Sequence, residues 1–70
     1  MENYIDLREL KRQLQIKRVR HIDVADMLGM DRTNITHMLN GNISLRAEDF
    51  IRIIYTYNLD ESKIIRRPIK

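Results

Sequence analysis

The side chains best suited to specific hydrogen bonding lie close together in the middle of the sequence. Arg32 can donate two parallel hydrogen bonds to O6 and N7 of a guanine, and Asn34 can pair in the same way with N6 and N7 of an adenine. Thr33 and Thr36 offer a methyl group to thymine or a hydroxyl group to an acceptor, and His37 can donate to guanine. Together these side chains have the chemistry needed to read the edges of nucleic-acid bases.

The basic charge of the sequence is concentrated at its two ends. The 70 residues carry a formal net charge of +3. Residues 1–20 contain six basic and three acidic side chains, residues 51–70 contain five and two, and residues 21–50 contain two and five. We expect attraction to phosphate groups to come largely from the ends, although a basic helix face is equally often simply solvated. In the middle range only Arg32 and Arg46 are basic, so we favour a specific contact for Arg32 over a solvated helix start.

The groupings that catalysis or metal binding requires are missing from the sequence. There is no cysteine, no glycine-rich phosphate loop and no arrangement of serine, histidine and aspartate that is typical of a catalytic triad. His21 and His37 lie sixteen residues apart and, without cysteine, make a poor zinc site. We expect a protein that is not an enzyme and that uses no cofactor and no metal ion.

The sequence also lacks segments that direct a chain into or across a membrane. Charged residues come too early for the apolar core of a signal peptide. No apolar run approaches the roughly 18 residues that a spanning helix requires. We expect a soluble, cytoplasmic protein.

Apolar residues recur at helical spacing along the whole chain, which predicts an all-α fold of four to five helices. The first helix is predicted from Tyr4 to Lys17. Asn3 or Asp6 can cap its start, and Asp6 has the spacing of a capping box with Glu9. The inner face of this helix consists of Leu7, Leu10 and Leu14.

Two short helices are predicted next, separated by a glycine. Helix 2 covers His21 to Leu28, and Gly29 follows it in the left-handed conformation that glycine adopts at little cost. Asp31 is predicted to cap helix 3 through its carboxylate. Helix 3 runs from Arg32 to Asn40, and Gly41 ends it as Gly29 ends its predecessor.

The last third of the chain predicts two more helices. Ser44 is expected to cap helix 4, and Asn58 to end it in a left-handed conformation. Asp60 then caps a short fifth helix from Glu61 to Ile65, and Pro68 ends regular structure. The apolar face of helix 4 consists of Leu45, Phe50, Ile53, Ile54 and Tyr57.

The spacing around Gly29 is typical of a helix-turn-helix. Ala25, four residues earlier, allows the two helices to approach closely, and Gly29 tolerates the positive φ of the turn. Ile35, six residues after the glycine, anchors the second helix from beneath. The sequence therefore predicts a second helix that projects from the domain.

At these residues the chain resembles the phage repressor and Cro-type family of helix-turn-helix regulators. The matching stretch is VRHIDVADMLG at 19–29, continuing through Ile35 to Asn40-Gly41. With the flanking helices, the resemblance covers about residues 5–60. It implies a compact lambda-repressor-like helix-turn-helix domain over residues 1–60, followed by a short C-terminal helix and basic tail over residues 61–70.

The resemblance also implies roles for individual side chains. The base contacts carried over from the family fall on Arg32, Thr33, Asn34, Thr36 and His37. The phosphate contacts fall on Arg20, His21, Asn40, Asn42, Ser44 and Arg46. His21 stands where the family usually has glutamine, and for this residue a plain surface histidine is an equally good interpretation.

One departure from the family pattern involves two positions at once. Many members carry a buried arginine in helix 1 paired with a glutamate just before the Asn-Gly. Here those positions hold Leu14 and Leu39. Losing one partner strands a buried charge at a cost of about 3–5 kcal/mol, whereas replacing both can be neutral. The paired replacement supports the alignment.

The resemblance implies a sequence-specific regulator of transcription, namely a repressor that binds a palindromic operator in double-stranded DNA as a homodimer. It also implies that the protein acts in a bacterial or phage-infected cell, where it is associated with the nucleoid. Ile64 and Ile65 either close the domain or form the dimer contact, and we favour the dimer contact. The alternative function is a protein-binding module, such as an antirepressor, a host-enzyme inhibitor or an antitoxin. The acidic middle segment favours that alternative.

Overall fold

The computed structural model describes residues 4–66. Over this range the chain is mostly helical, with five α-helices and one pair of short strands. In chain order the elements are β1 (Tyr4–Ile5), α1 (Leu7–Ile16), α2 (His21–Leu28), α3 (Arg32–Leu39), α4 (Ala47–Tyr57), α5 (Glu61–Ile64) and β2 (Ile65–Arg66). The predicted end of structure at Pro68 and the alternative cap Asn3 lie outside the described residues.

The first helix begins later than predicted because its first residues form a strand. Tyr4 and Ile5 pair antiparallel with Arg66 and Ile65, respectively, so the prediction of an exclusively helical domain was wrong at this point. Asp6 caps α1, as predicted, by accepting from the backbone N–H groups two and three residues later. In a complete capping box the Glu9 side chain would accept from the backbone N–H of Asp6. Here that N–H donates instead to the carbonyl of Ile64 at 2.8 Å.

Four helices end in the same manner, with a left-handed residue followed by an N–H that donates to the carbonyl five residues earlier. Gly29, Gly41 and Asn58 take this conformation, as predicted. Arg18 also takes it, with φ 58, at the end of α1. The predicted helix ends are therefore confirmed to within a residue.

Two predicted helix starts need correction. Ser44 does not cap α4, which begins three residues later with Arg46 at its N-cap and no side-chain hydrogen bond there. Asp31 does occupy the N-cap of α3, but its carboxylate accepts no hydrogen bond from that helix. The segment from Asn40 to Arg46 is consequently a longer connection than expected between α3 and α4.

All five helices contribute to one apolar core. It consists of Leu10, Leu14, Val24, Ala25, Ile35, Met38, Leu39, Phe50, Ile53, Ile54, Leu59 and Ile64. Because Ile64 in α5 is completely buried, residues 61–66 pack with the preceding helices instead of extending from them. No helix in the described part of the chain is both long enough and apolar enough to cross a membrane.

A buried glutamine connects α1 to the backbone between α4 and α5. Gln13 in α1 is 7% exposed. Its Oε1 accepts from the backbone N–H of Asp60 at 2.7 Å, and its Nε2 donates to the carbonyl of the same residue at 3.1 Å. Nε2 also donates to Glu9 at 2.9 Å. One side chain thereby fixes α1 against the junction of α4 and α5.

Candidate nucleic-acid interface

The relation between α2 and α3 is set by three connecting residues. Gly29, with φ 70, reverses the chain after α2, and the Met30 N–H donates to the carbonyl of Ala25 at 2.9 Å. Ala25 is 1% exposed and Ile35 is completely buried. The small residue and the anchoring residue predicted from the sequence are therefore both inside the core, and the turn between them is closed by a backbone hydrogen bond.

The packing of α3 divides its side chains into two sets. Ile35, Met38 and Leu39 face the core. The exposed set contains Arg32, Thr33, Asn34 and His37, which are four of the five predicted base-contacting residues. No ion pair involves Arg32 within residues 4–66, so its guanidinium is available to a ligand.

The fifth predicted base-contacting residue, Thr36, is half-buried and hydrogen-bonded within the protein. Its Oγ1 lies 2.9 Å from Nδ1 of His21 and donates to the carbonyl of Arg32 at 3.2 Å. A threonine hydroxyl has one proton, and here that proton is donated to the carbonyl of Arg32. Nδ1 of His21 is therefore the donor in the hydrogen bond to Oγ1. The other ring nitrogen of His21, Nε2, takes no part in this hydrogen bond. The structure thus joins a predicted base contact to a predicted phosphate contact.

Two of the predicted phosphate-contacting arginines are paired with carboxylates. Arg20 contacts Asp23 at 3.1 Å, and its backbone N–H donates to the same carboxylate at 2.8 Å. The hydrogen bonds from the Arg20 side chain and then from its backbone lower the pKa of Asp23. Arg46 lies 3.5 Å from Glu48, and both side chains are more than 70% exposed. Such exposed pairs are weak and can be exchanged for a phosphate.

The remaining predicted phosphate contacts lie at the end of α3 and in the loop after it. Asn40 accepts from Nζ of Lys11 at 3.4 Å. Asn42 approaches His37, with 3.4 Å between the side-chain nitrogens, and donates its backbone N–H to the carbonyl of His37 at 2.8 Å. Ser44 is exposed. The loop is therefore hydrogen-bonded to α3 at Asn42 and exposed to solvent at Ser44.

Lys11 is a candidate contact that the sequence interpretation left among the general basic residues of α1. Its contact with Asn40 brings a cation to the predicted backbone-contacting end of α3. Lys11 also lines a surface depression together with His21, above Leu14 and Leu39. The available signal was helical spacing, since Lys11 and Leu14 are three residues apart and share one side of α1.

Leu14 and Leu39, the two positions compared above with a charged pair, lie in the core. Leu14 is 3% exposed and Leu39 is 1% exposed, and both line the same depression. Neither leaves a charge without a partner. In the described part of the chain no buried side-chain nitrogen or oxygen lacks a hydrogen bond.

The acidic residues of α2 lie near α4. Burial raises the pKa of Tyr57, and the neighbouring carboxylates of Asp23 and Asp26 raise it further. Because Tyr57 belongs to α4, these two carboxylates direct part of their negative potential towards that helix.

The predicted dimer contact is not available at Ile64. This side chain is completely buried, and Ile65 is half-buried within β2. Residues Ile64 and Ile65 therefore close the domain, which was the alternative interpretation. Among residues 4–66 no three histidine, cysteine or acidic side chains group together as metal ligands.

Comparisons with family models, with curated proteins and with solved structures gave no match to this chain.

Proposed function

We propose that this chain is a helix-turn-helix domain of the phage repressor and Cro-type architecture, and that it represses transcription by binding a palindromic operator as a homodimer. In this proposal α3 enters the major groove, and its first turns read base edges. The start of α2 and the loop after α3 contact the sugar-phosphate backbone on either side.

The observation that carries the proposal is the exposed polar start of α3. Arg32, Thr33 and Asn34 are consecutive and exposed, and the next residue, Ile35, anchors the helix in the core. Direct readout requires such donors and acceptors on an element that does not move. The His21–Thr36 hydrogen bond supports this reading because it links α2 to α3 beside the exposed set.

The charges near α3 support a contact with phosphate groups whose strength depends on salt. Lys11 lies beside the end of α3, and Arg20 and Arg46 are held by the half-exposed Asp23 and the exposed Glu48, respectively. Phosphate groups would replace these carboxylates as partners. Each such contact releases counterions from DNA, so the affinity should fall with added salt.

Selection from a pool of random DNA duplexes tests the proposal, followed by titration of the selected sequence over a range of salt concentrations. We expect a palindrome whose half-sites lie about ten base pairs apart, because a two-fold dimer places its recognition helices ~34 Å apart. The logarithm of the affinity should fall linearly with the logarithm of the salt concentration. Failure to enrich any sequence, or binding that ignores salt, contradicts the proposal.

A protein-binding module is the second candidate function. It is favoured by Asp23 and Glu48, which already partner two of the arginines expected at DNA. If the selection enriches no sequence and the chain instead retains one protein in a stoichiometric complex at low salt, this second function is the better description.

A further inference from the structure

The outer side of α4 carries an apolar pair that the core does not use. Ile51 is 49% exposed and Tyr55 is 82% exposed, although Phe50, Ile53 and Ile54 of the same helix are buried. The two exposed side chains are four residues apart and therefore adjacent on the helix surface. Adjacent exposed apolar side chains on a stable helix indicate a contact surface more often than isolated ones do.

Two opposite charges flank this pair on the same side of the helix. At 3.6 residues per turn, Glu48, Ile51, Arg52 and Tyr55 fall within an arc of roughly 100°. We refer to these four residues as the outer face of α4. Arg52 forms no ion pair with any residue between 4 and 66, and Glu48 has only the exposed contact with Arg46 at 3.5 Å. The face therefore presents one positive and one negative group around an apolar centre.

This charge pattern is complementary to itself in one orientation only. When two copies of α4 pack antiparallel with their centre between residues 51 and 52, Glu48 faces Tyr55 of the second copy. Arg52 then lies ~4.5 Å along the helix axis from the second copy's Glu48, since each residue advances about 1.5 Å. Parallel packing would place Glu48 against Glu48 and Arg52 against Arg52. A two-fold axis perpendicular to the two helices generates this antiparallel pair.

We propose that the outer face of α4 is the homodimer interface of this protein, with a second copy of the chain as its occupant. The inference rests on the proposed function for its purpose, because a palindromic operator requires a two-fold dimer. It replaces the contact expected at Ile64 and Ile65. The interface is formed by one helix from each copy, so the dimer is weak in solution and is strengthened when two half-sites hold both copies together.

Sedimentation equilibrium of the full chain without DNA tests the interface. We expect the average mass to rise towards that of a dimer with concentration. Tyr55→Glu should raise the dissociation constant at least about tenfold, because it places a charge in the apolar centre. Ile16→Glu is the matched control, since Ile16 on α1 is 63% exposed and lies outside this face. Circular dichroism establishes that each variant is folded.

A charge exchange tests the antiparallel orientation. Glu48→Arg and Arg52→Glu should each weaken the dimer, and the double variant should recover most of the wild-type affinity. A wild-type chain that stays monomeric at every concentration overturns the proposal, as does an equal loss in Ile16→Glu. A monomer that still selects one DNA sequence refutes the interface and the homodimer, and leaves the sequence-specific DNA binding of the proposed function standing. A dimer through this face that selects no DNA sequence supports the interface and contradicts the proposed function.

Discussion

The hydroxyl group of Thr36 illustrates how a polar group can support recognition by holding its neighbours in place instead of binding a ligand. Its proton is directed to the carbonyl of Arg32, and its oxygen accepts from His21 at 2.9 Å. This leaves the methyl group of Thr36 for contact with a base, and it orients the imidazole so that Nε2 is the free ring atom. At the residue scale, the exposed donors of Arg32 and Asn34 are therefore the strongest candidates for base readout.

Substitution of Arg32 tests this assignment. We expect Arg32→Ala to weaken binding to the selected operator by ~1–3 kcal/mol and to relax the preference at one base pair of each half-site. Lys63→Ala removes an exposed cation from α5 and should leave the base preference unchanged. Both are measured by titration against the operator and against single-base variants of it. Equal weakening on every sequence would instead identify Arg32 as a phosphate contact.

Gln13 makes a prediction about stability. Gln13→Leu leaves the N–H and carbonyl of Asp60 without their partners and should lower the free energy of unfolding by ~1–3 kcal/mol. Gln15→Leu on the same helix alters an exposed side chain and should change it by less than about 0.5 kcal/mol. Urea denaturation measures both. Similar losses in the two variants would contradict the structural role of Gln13.

At the scale of elements, the sequence predicted what local chemistry determines and missed what distant segments determine. The bounds of α2 and the endings at Gly29 and Asn58 depend on neighbouring residues, and they were predicted. The strand at Tyr4–Ile5 was missed because its partner lies about 60 residues away in the chain. Gln13 was missed for the same reason, since a polar residue beside an apolar stripe gives no sign of a partner at Asp60.

In the candidate interface, too, the features set by neighbouring residues were predicted and those set by distant segments were missed. The exposed positions of Arg32, Thr33, Asn34 and His37 follow from the 3.6-residue period of α3, so spacing predicted them. The hydrogen bond between His21 and Thr36 joins two helices, and no spacing rule indicates it.

The ending of α1 is the least favourable of the helix endings because Arg18 adopts φ 58 without being glycine. Arg18→Gly relieves that conformation and should stabilise the protein by roughly 0.5–1 kcal/mol. Lys17→Gly is the matched control, since Lys17 has φ −79 and the same charge, and it should destabilise instead. Thermal unfolding followed by circular dichroism gives the two signs. A lower midpoint in both variants would contradict the strain assigned to Arg18.

At the scale of the whole molecule, resistance to acid depends on a carboxylate in α1. Hydrogen bonds from Arg12 and then Gln13 lower the pKa of Glu9 from 4.5 to about 2. The folded protein therefore releases this proton more readily than the unfolded chain does. The stability that Glu9 contributes is complete above pH 4.5 and is lost as the pH falls through about 2.

Denaturation at a series of pH values tests this dependence. Glu9→Gln should make the stability change less between pH 4.5 and pH 2 than it does in the wild type. Part of the change should persist, because the pKa of Asp23 is also lowered. An unaltered slope in Glu9→Gln would assign the acid sensitivity to other groups.

The pairing of β1 with β2 has a topological consequence. Tyr4 lies beside Arg66, and Arg66 contacts Asp6 at 3.1 Å, so the described chain nearly closes on itself as a ring. A short peptide link across this point would allow new ends to be opened in the exposed connection before α4. A circularly permuted chain in the order α4, α5, α1, α2, α3 would then build the same core, because the order in which the helices are synthesised is separable from the way they pack.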